Sequence, residues 1–161
     1  MTPEMLANLI SAHAAPLVLF ARQWCALPDD VVQEAFVQLH LQQPPPDDPV
    51  AWLYRVVRNR AVSASRSDRR RRDRESRRAV DAGWFQPAPD GDRLDRIAAM
   101  DALQELPLPE REIIIAHLWG GLTFAQIGGL VDCSAATAFR RYQTALQQLR
   151  TRLGVSCPNS N

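Results

Sequence analysis

Residues 121–150, GLTFAQIGGLVDCSAATAFRRYQTALQQLR, decide the fold of the C-terminal half of the chain. Thr123 and Ser134 are predicted N-caps of two consecutive helices, because a side-chain hydroxyl at that position accepts a hydrogen bond from the first turn. The first helix is predicted to end at Val131 and the second at about Leu153. Two capped helices joined by a short turn predict a helix-turn-helix.

The last helix separates its residues onto two faces when each residue is advanced by about 100°. The face predicted to meet the core is apolar and consists of Ala138, Tyr142, Ala145, Leu146, Leu149 and Leu153. The opposite face carries hydroxyl, amide and guanidinium groups, from Thr137, Arg140, Thr144, Gln147 and Gln148, with Arg141 on its flank. Such groups pair with base edges and phosphates, so this face is predicted to enter a DNA major groove. A helical hairpin whose polar face is merely solvated is the alternative.

Helical spacing of apolar residues continues through the rest of the chain, and no stretch alternates as a strand would, which predicts an all-α fold. The small residue Gly128 is predicted to lie where the two helices of the motif cross. The other predicted helices run from about Leu6 to Trp24 with Pro16 inside, from Pro28 to before Pro44, from Val50 onward, from Arg93 to Leu106, and from Glu110 to Trp119.

Charge is distributed very unevenly along the chain, although the formal net charge is only +1. Residues 1–50 carry a net charge of −5, residues 51–80 of +8 and residues 81–161 of −2. The arginine tract at 66–78 therefore requires an anionic partner, unless it is only a solvated run of charge. A segment rich in Gly, Pro and Asp at 79–92 predicts a linker between two helical domains, 1–78 and 93–161.

Composition excludes several functional classes. With 46% apolar and 23% charged residues, the 161-residue chain is typical of an ordinary globular protein. It shows no signal peptide and no apolar run of membrane-spanning length, so we expect a cytoplasmic protein without membrane insertion. Its three cysteines are isolated, which predicts structural thiols rather than disulfides or a zinc site. It contains no phosphate-binding glycine loop, metal-ligand cluster or nucleophile motif, so we expect neither an enzyme nor a cofactor.

Two groups of motifs carry a resemblance to a known family. Asp30-Val31-Val32-Gln33-Glu34, then Ala51 through Asn59 (AWLYRVVRN) and the arginine tract resemble the second domain of the sigma-70 family of transcription initiation factors. Leu106-Pro107 through Glu112, Gly121 through Gly128, and Ser134 through Arg150 resemble the fourth domain. The resemblance covers roughly residues 5–153. Only two domains and a short linker are present, as in the extracytoplasmic-function (ECF) group.

The resemblance implies roles for three sets of residues. Asp30, Gln33 and Glu34 would bind core RNA polymerase, at the clamp helices of its largest subunit. The minus-ten promoter element would be contacted by Trp52, Tyr54, Arg55, Arg58, Asn59, Arg60 and Arg66, although Trp52 and Tyr54 are equally well interpreted as core residues. The minus-thirty-five element would be contacted by Ser134, Ala136, Thr137, Arg140, Arg141 and Thr144. The flap of the second-largest polymerase subunit and an anti-sigma factor are further candidate partners.

The sequence departs from the family pattern in the motif turn and in the last helix. Asp132 stands where glycine is common, and it is expected to adopt the left-handed conformation there. Arg140 and Tyr142 replace residues that are commonly small and aliphatic, so promoter specificity cannot be transferred from a relative. A stand-alone helix-turn-helix regulator is the main alternative function, and an adaptor that does not bind DNA is a second one.

Overall fold

The computed structural model describes residues 2–72 and 100–154, and within these ranges every regular element is a helix. The described residues belong to two compact units: one holds the N-terminal helices and Ile115–Leu122, and the other holds the rest of the second range. The predicted all-α class is confirmed. The predicted linker at 79–92 lies outside the described residues, so the predicted domain boundaries stay a prediction.

Helix α1 spans Pro3–Ala21. Thr2 caps it, because the Met5 N–H donates to the Thr2 hydroxyl at 3.2 Å. Pro16 lies inside the helix, which continues past it to Ala21. The helix ends before the predicted Trp24, whose N–H donates to the Ala21 carbonyl in a turn.

By length and composition α1 is apolar enough to cross a membrane, with a mean hydropathy of 1.4, which corrects the expectation that no apolar run reaches membrane-spanning length. Its C-terminal part nevertheless supplies four buried side chains to the first unit: Leu17, Leu19, Phe20 and Ala21. Only 22% of the apolar stretch is buried, so it is the C-terminal part of α1 that we describe as core.

Helices α2 and α3 span Pro28–Leu41 and Pro49–Arg72. Two aspartates in the first turn of α2, Asp29 and Asp30, are favourable beside the positive end of the helix dipole. The predicted apolar stripe of α2 is buried and consists of Val32, Ala35, Phe36 and Leu39. As predicted, the proline-rich segment between the helices is not helical. Asp48 then starts α3 by accepting a hydrogen bond from the Ala51 N–H at 3.0 Å.

Phe20 lies at the centre of the core of the first unit, where it is fully buried. Its ring contacts Trp24 and Tyr54 edge to face, with both pairs of ring centroids 4.9 Å apart. Fully buried aliphatic side chains from the other helices complete this core, among them Leu39, Leu53 and Val57. Edge-to-face rings add to the stabilisation that comes from burying apolar area.

The second described range begins with helical residues 100–104, followed by helix α4 at Leu108–Leu118. Helix α4 starts two residues before the predicted Glu110, because proline is tolerated in the first turn of a helix and Pro109 lies there. The predicted chain reversal at Gly120-Gly121 is confirmed, with Gly121 at a φ of 69°. The predicted helix from Arg93 lies outside the described residues up to residue 99.

Helices α5 and α6 span Phe124–Val131 and Ala135–Arg152, close to the predicted bounds. Gly128 lies at their close approach. A Cβ atom there would be 2.5 Å from the Cys133 carbonyl oxygen and 3.2 Å from the Ala135 nitrogen. Both neighbours are backbone atoms, so the predicted need for a small residue at this crossing is confirmed.

We expect Gly128→Ala to lower the free energy of unfolding by about 1–3 kcal/mol, since a methyl group would force the α5–α6 turn apart. Gly129→Ala is the matched control, because Gly129 is exposed on the same helix. That control should leave stability unchanged or raise it by up to about 1 kcal/mol through helix propensity. Urea denaturation measures both. Equal stability of the two variants would contradict the close approach described above.

Candidate nucleic-acid interface

The turn between α5 and α6 is fixed by local hydrogen bonds. Thr123 and Gln126 form a capping box: the Gln126 N–H donates to the Thr123 hydroxyl at 3.3 Å, and the Thr123 N–H donates to the Gln126 side chain at 2.7 Å. Asp132 adopts the predicted left-handed conformation, with φ 57° and ψ 53°. The Cys133 N–H then donates to the Gly128 carbonyl at 2.9 Å. The direction in which α6 leaves the turn is thereby set.

Ser134 caps α6 by accepting a hydrogen bond from the Thr137 N–H at 3.1 Å. Its hydroxyl also lies 2.9 Å from the Thr137 hydroxyl. The sequence predicted both a capping role and a DNA contact for Ser134. The structure confirms the cap and leaves the DNA contact a prediction.

The predicted DNA-reading residues of α6 are accessible. Ser134, Ala136, Arg140, Arg141 and Thr144 are exposed, and Thr137 is half-buried. The Arg140 guanidinium donates to the Thr137 hydroxyl at 3.4 Å, and the Thr144 hydroxyl donates to the Arg140 carbonyl at 3.1 Å. The helix therefore presents guanidinium, hydroxyl and methyl groups together on one exposed surface, with the small Ala136 among them.

The opposite face of α6 packs on the unit as predicted, with one exception. Ala138, Ala145 and Leu149 are buried, and Tyr142 and Leu146 are half-buried. Leu153 was predicted to be a core residue, but it is exposed because it lies in the turn that follows the helix end. Leu153 is thus a correction to the predicted core face.

One exposed aromatic residue on α6 was missed. The Phe139 side chain is 42% exposed, next to Arg140. Its ring centroid lies 5.2 Å from that of Phe124, and Phe124 lies 5.4 Å from Tyr142. The sequence signal was present, because Phe139 falls between the apolar and polar faces of the helix. It therefore holds a rigid apolar group at the edge of the face that is predicted to read DNA.

A second candidate surface lies on α2. Asp30, Gln33 and Glu34 are all exposed, on the side of the helix opposite the buried Ala35 and Phe36. Two carboxylates and one amide can bind a cationic or hydrogen-bond-donating protein surface. Their predicted exposure is confirmed, whereas their partner is not tested by the geometry.

A third candidate surface, on α3, carries most of the residues predicted to contact the minus-ten element. Arg55, Asn59 and Arg66 are exposed, and Trp52, Arg58 and Arg60 are half-buried. Side chains that follow Arg66 in the arginine tract are not described. Guanidinium groups on one helix provide the positive surface that a phosphate backbone requires.

Tyr54 is a correction to this set. Its side chain is fully buried against Phe20, so its ring is not accessible for stacking on a base. Burial also raises the pKa of the Tyr54 hydroxyl well above its ordinary value. Of the two interpretations that the sequence left open for Tyr54, the structure favours the core residue.

The surfaces on α2 and α3 meet at an ion pair between Glu34 and Arg60, in which Arg60 Nη1 contacts Glu34 Oε2. Both residues line an open groove of about 520 Å³ between the helices. The other lining residues are Val31, Gln38, Val56, Asn59, Ser63 and Ala64. The sequence assigned Glu34 and Arg60 to different partners and did not predict their contact.

Cysteines and metal ligands add no further site in the part of the chain that the structure describes. Cys25 is buried and Cys133 is half-buried, and neither forms a disulfide. Within residues 2–72 and 100–154, no group of His, Cys, Asp and Glu side chains is arranged to hold a metal ion. Cys157 lies outside the described residues.

Comparison with protein families identifies both halves of the chain. Residues 9–71 match the family profile described as Sigma-70 region 2, and residues 96–149 match the one described as Sigma-70, region 4. ECF RNA polymerase sigma factors SigK from Mycobacterium sp. strains JLS and KMS are both 28% identical to this chain over 136 residues. Each alignment covers 80% of this chain and 70% of the relative.

Two solved structures share the fold. The sigma factor RpoE of Bartonella quintana, in complex with the anti-sigma factor NepR, has a TM-score of 0.73 and 22% sequence identity, covering 97% of this chain and 100% of that one. CnrH, in complex with the cytosolic domain of CnrY, has a TM-score of 0.62 and 22% identity, covering 97% of this chain and 92% of that one. At this level of identity, the two likenesses show the fold.

The burial of Tyr54 predicts how stability depends on alkaline pH. A pKa that is higher in the folded state than in the unfolded state gives stability that is present below about pH 10 and is lost as the pH rises further. We therefore expect the free energy of unfolding to fall less steeply above about pH 10 in Tyr54→Phe than in the wild type. Tyr142→Phe is the control, because it keeps Tyr54 and should keep the steeper fall. Urea denaturation across this pH range measures both, and parallel curves for the two variants would contradict the burial of Tyr54.

Proposed function

The chain belongs to the sigma-70 family, in its ECF group of transcription initiation factors, and we propose how its two units divide the work of initiation. The observation that carries the proposal is that regions 2 and 4 occur in one chain, each with a polar surface opposite its core. The first unit would bind the polymerase and would help to melt the minus-ten element. The second would read double-stranded DNA upstream.

For the polymerase, we propose that Asp30, Gln33 and Glu34 on α2 bind the clamp helices of the largest subunit. Their exposure and their acidic character support this role. The unit that contains the helix-turn-helix would in turn contact the flap of the second-largest subunit. Core RNA polymerase and promoter DNA are thus the two main partners of the factor.

For the minus-ten element, we propose contacts from Arg55, Arg58, Asn59, Arg60 and Arg66 on α3, with Trp52 as an aromatic group for an unpaired base. Guanidinium groups pair with backbone phosphates, and aromatic rings stack on any base, so both suit a melted strand. Tyr54 is left out of this set because it is buried.

For the minus-thirty-five element, we propose that α6 enters the major groove. Arg140, Arg141 and Thr144 would contact bases and phosphates, while Ser134, Ala136 and Thr137 lie at the helix start, where the duplex approaches closely. The fixed turn at Asp132 supports this role, since base readout needs a helix held at a constant angle.

Sigma factors are transcription factors, and we propose that this chain itself catalyses no reaction and requires no cofactor. RNA synthesis would belong to the polymerase. The factor would act in the cytoplasm, on the nucleoid when it is bound to the polymerase. Because RpoE was solved in complex with the anti-sigma factor NepR, we also propose an anti-sigma protein as a partner of this chain.

In vitro transcription tests the proposed function. The purified chain is added to sigma-free bacterial core polymerase on a pool of genomic promoter fragments, and the RNA 5′ ends are sequenced. We expect defined new start sites. Specific fragment binding without polymerase, and no start sites, would indicate the stand-alone regulator instead.

In the same assay, Arg140→Ala should cost about 1–3 kcal/mol of promoter discrimination at one upstream position. Arg150→Ala, which changes an exposed arginine near the end of α6, should not.

Core binding tests the α2 surface separately. We expect Gln33→Ala to weaken binding of the factor to core polymerase by roughly tenfold, as truncation of an important interface residue does. Gln42→Ala is the matched control, because it removes the same exposed amide at the C-terminal end of α2, away from Gln33. Fluorescence anisotropy of the labelled factor measures both dissociation constants, and circular dichroism verifies the fold. Equal dissociation constants for the two variants would contradict the assignment of Gln33 to the polymerase-binding surface.

A further inference from the structure

The Glu34–Arg60 ion pair connects α2 with α3 across 26 positions of sequence. Glu34 is 63% exposed at its side chain and Arg60 is 32% exposed. Among the described side chains that line the groove between these helices, these two carry the charges. Within that groove, therefore, Glu34 is the charged neighbour of Arg60, and Arg60 is the charged neighbour of Glu34.

Building on the proposed function, we propose that Arg60 masks the Glu34 carboxylate of the polymerase-binding surface, because it pairs with that carboxylate in the free factor and competes with the polymerase for it. Polymerase binding at Glu34 then releases Arg60 for a promoter phosphate. One ion pair thus couples two binding events that the sequence places on separate helices.

The geometry supports competition rather than permanent pairing. Arg60 reaches Glu34 through a single nitrogen, Nη1, and a single oxygen, Oε2, rather than through a bidentate fork. Ion pairs this exposed contribute little to stability, so either partner can break them at low cost. While the pair is formed, however, the carboxylate attracts a second cation less strongly and the guanidinium attracts a phosphate less strongly.

Thermodynamic linkage makes the effect reciprocal. If polymerase binding frees Arg60 and thereby favours DNA binding, then DNA binding frees Glu34 and favours polymerase binding by the same factor. An exposed ion pair limits that factor to about fivefold. The free factor would then bind DNA more weakly than the same residues do in the complex with polymerase.

The test measures the affinity of core polymerase for Arg60→Gln. We expect this variant to bind core about two- to fivefold more tightly than the wild type, because Glu34 is no longer paired. A purely structural ion pair predicts unchanged or weaker binding. Arg22→Gln is the matched control: it removes the same charge from the same unit, and it should leave the dissociation constant unchanged.

A double-mutant cycle isolates the pair from the general change of charge. In a Glu34→Gln background, Arg60→Gln should no longer tighten core binding. Tightening that persists there, or that Arg22→Gln reproduces, would overturn the inference. Arg60→Met, which also removes the charge, repeats the measurement should Arg60→Gln fail to fold.

DNA binding provides the reciprocal measurement. Free Glu34→Gln protein should bind a single-stranded minus-ten oligonucleotide more tightly than the wild type, by a similar factor. Its affinity should also fall more steeply with salt, because one more arginine contacts phosphate. Unchanged affinity and salt dependence would overturn the inference. Failure of the wild-type chain to bind core at all would instead overturn the proposed function.

Discussion

Helices as short as α2, α4 and α5 are at best marginally stable in water without packing against their neighbours, and this constraint organises the structure. Short isolated helices form only marginally, so each helix must give one face to a core. On α2, Ala35 and Phe36 are buried while Gln33 stays exposed, and on α6 Ala138 and Leu149 are buried while Arg140 stays exposed. Partners can therefore bind only the remaining faces, and those faces carry the charged and amide groups.

Features that depend on neighbouring residues could be predicted from the sequence. The caps at Thr123 and Ser134, the left-handed Asp132 and the crossing at Gly128 are properties of a few consecutive residues, and the structure has each of them as predicted. The exposed face of α2 followed in the same way from helical spacing. What these faces bind stays a prediction, because exposure alone does not identify a partner.

Features that depend on distant residues could not be predicted. Tyr54 is polar enough to face DNA, and only the position of Phe20 on another helix makes it a core residue. The Glu34–Arg60 pair needs two helices to pack in one register, and no local pattern contains that information. Helix periodicity gives the direction of a side chain but not the neighbour that it meets.

The left-handed Asp132 and the buried alanines of α6 have a consequence for how such factors diverge. The turn and the inner face fix the position of α6, so the outer residues, Arg140 and Thr144 among them, can change identity without disturbing the packing. After gene duplication, a copy of this chain can thus acquire a different set of promoters through a few surface substitutions. The same separation makes α6 a natural position at which to engineer factors that do not interfere with one another in one cell.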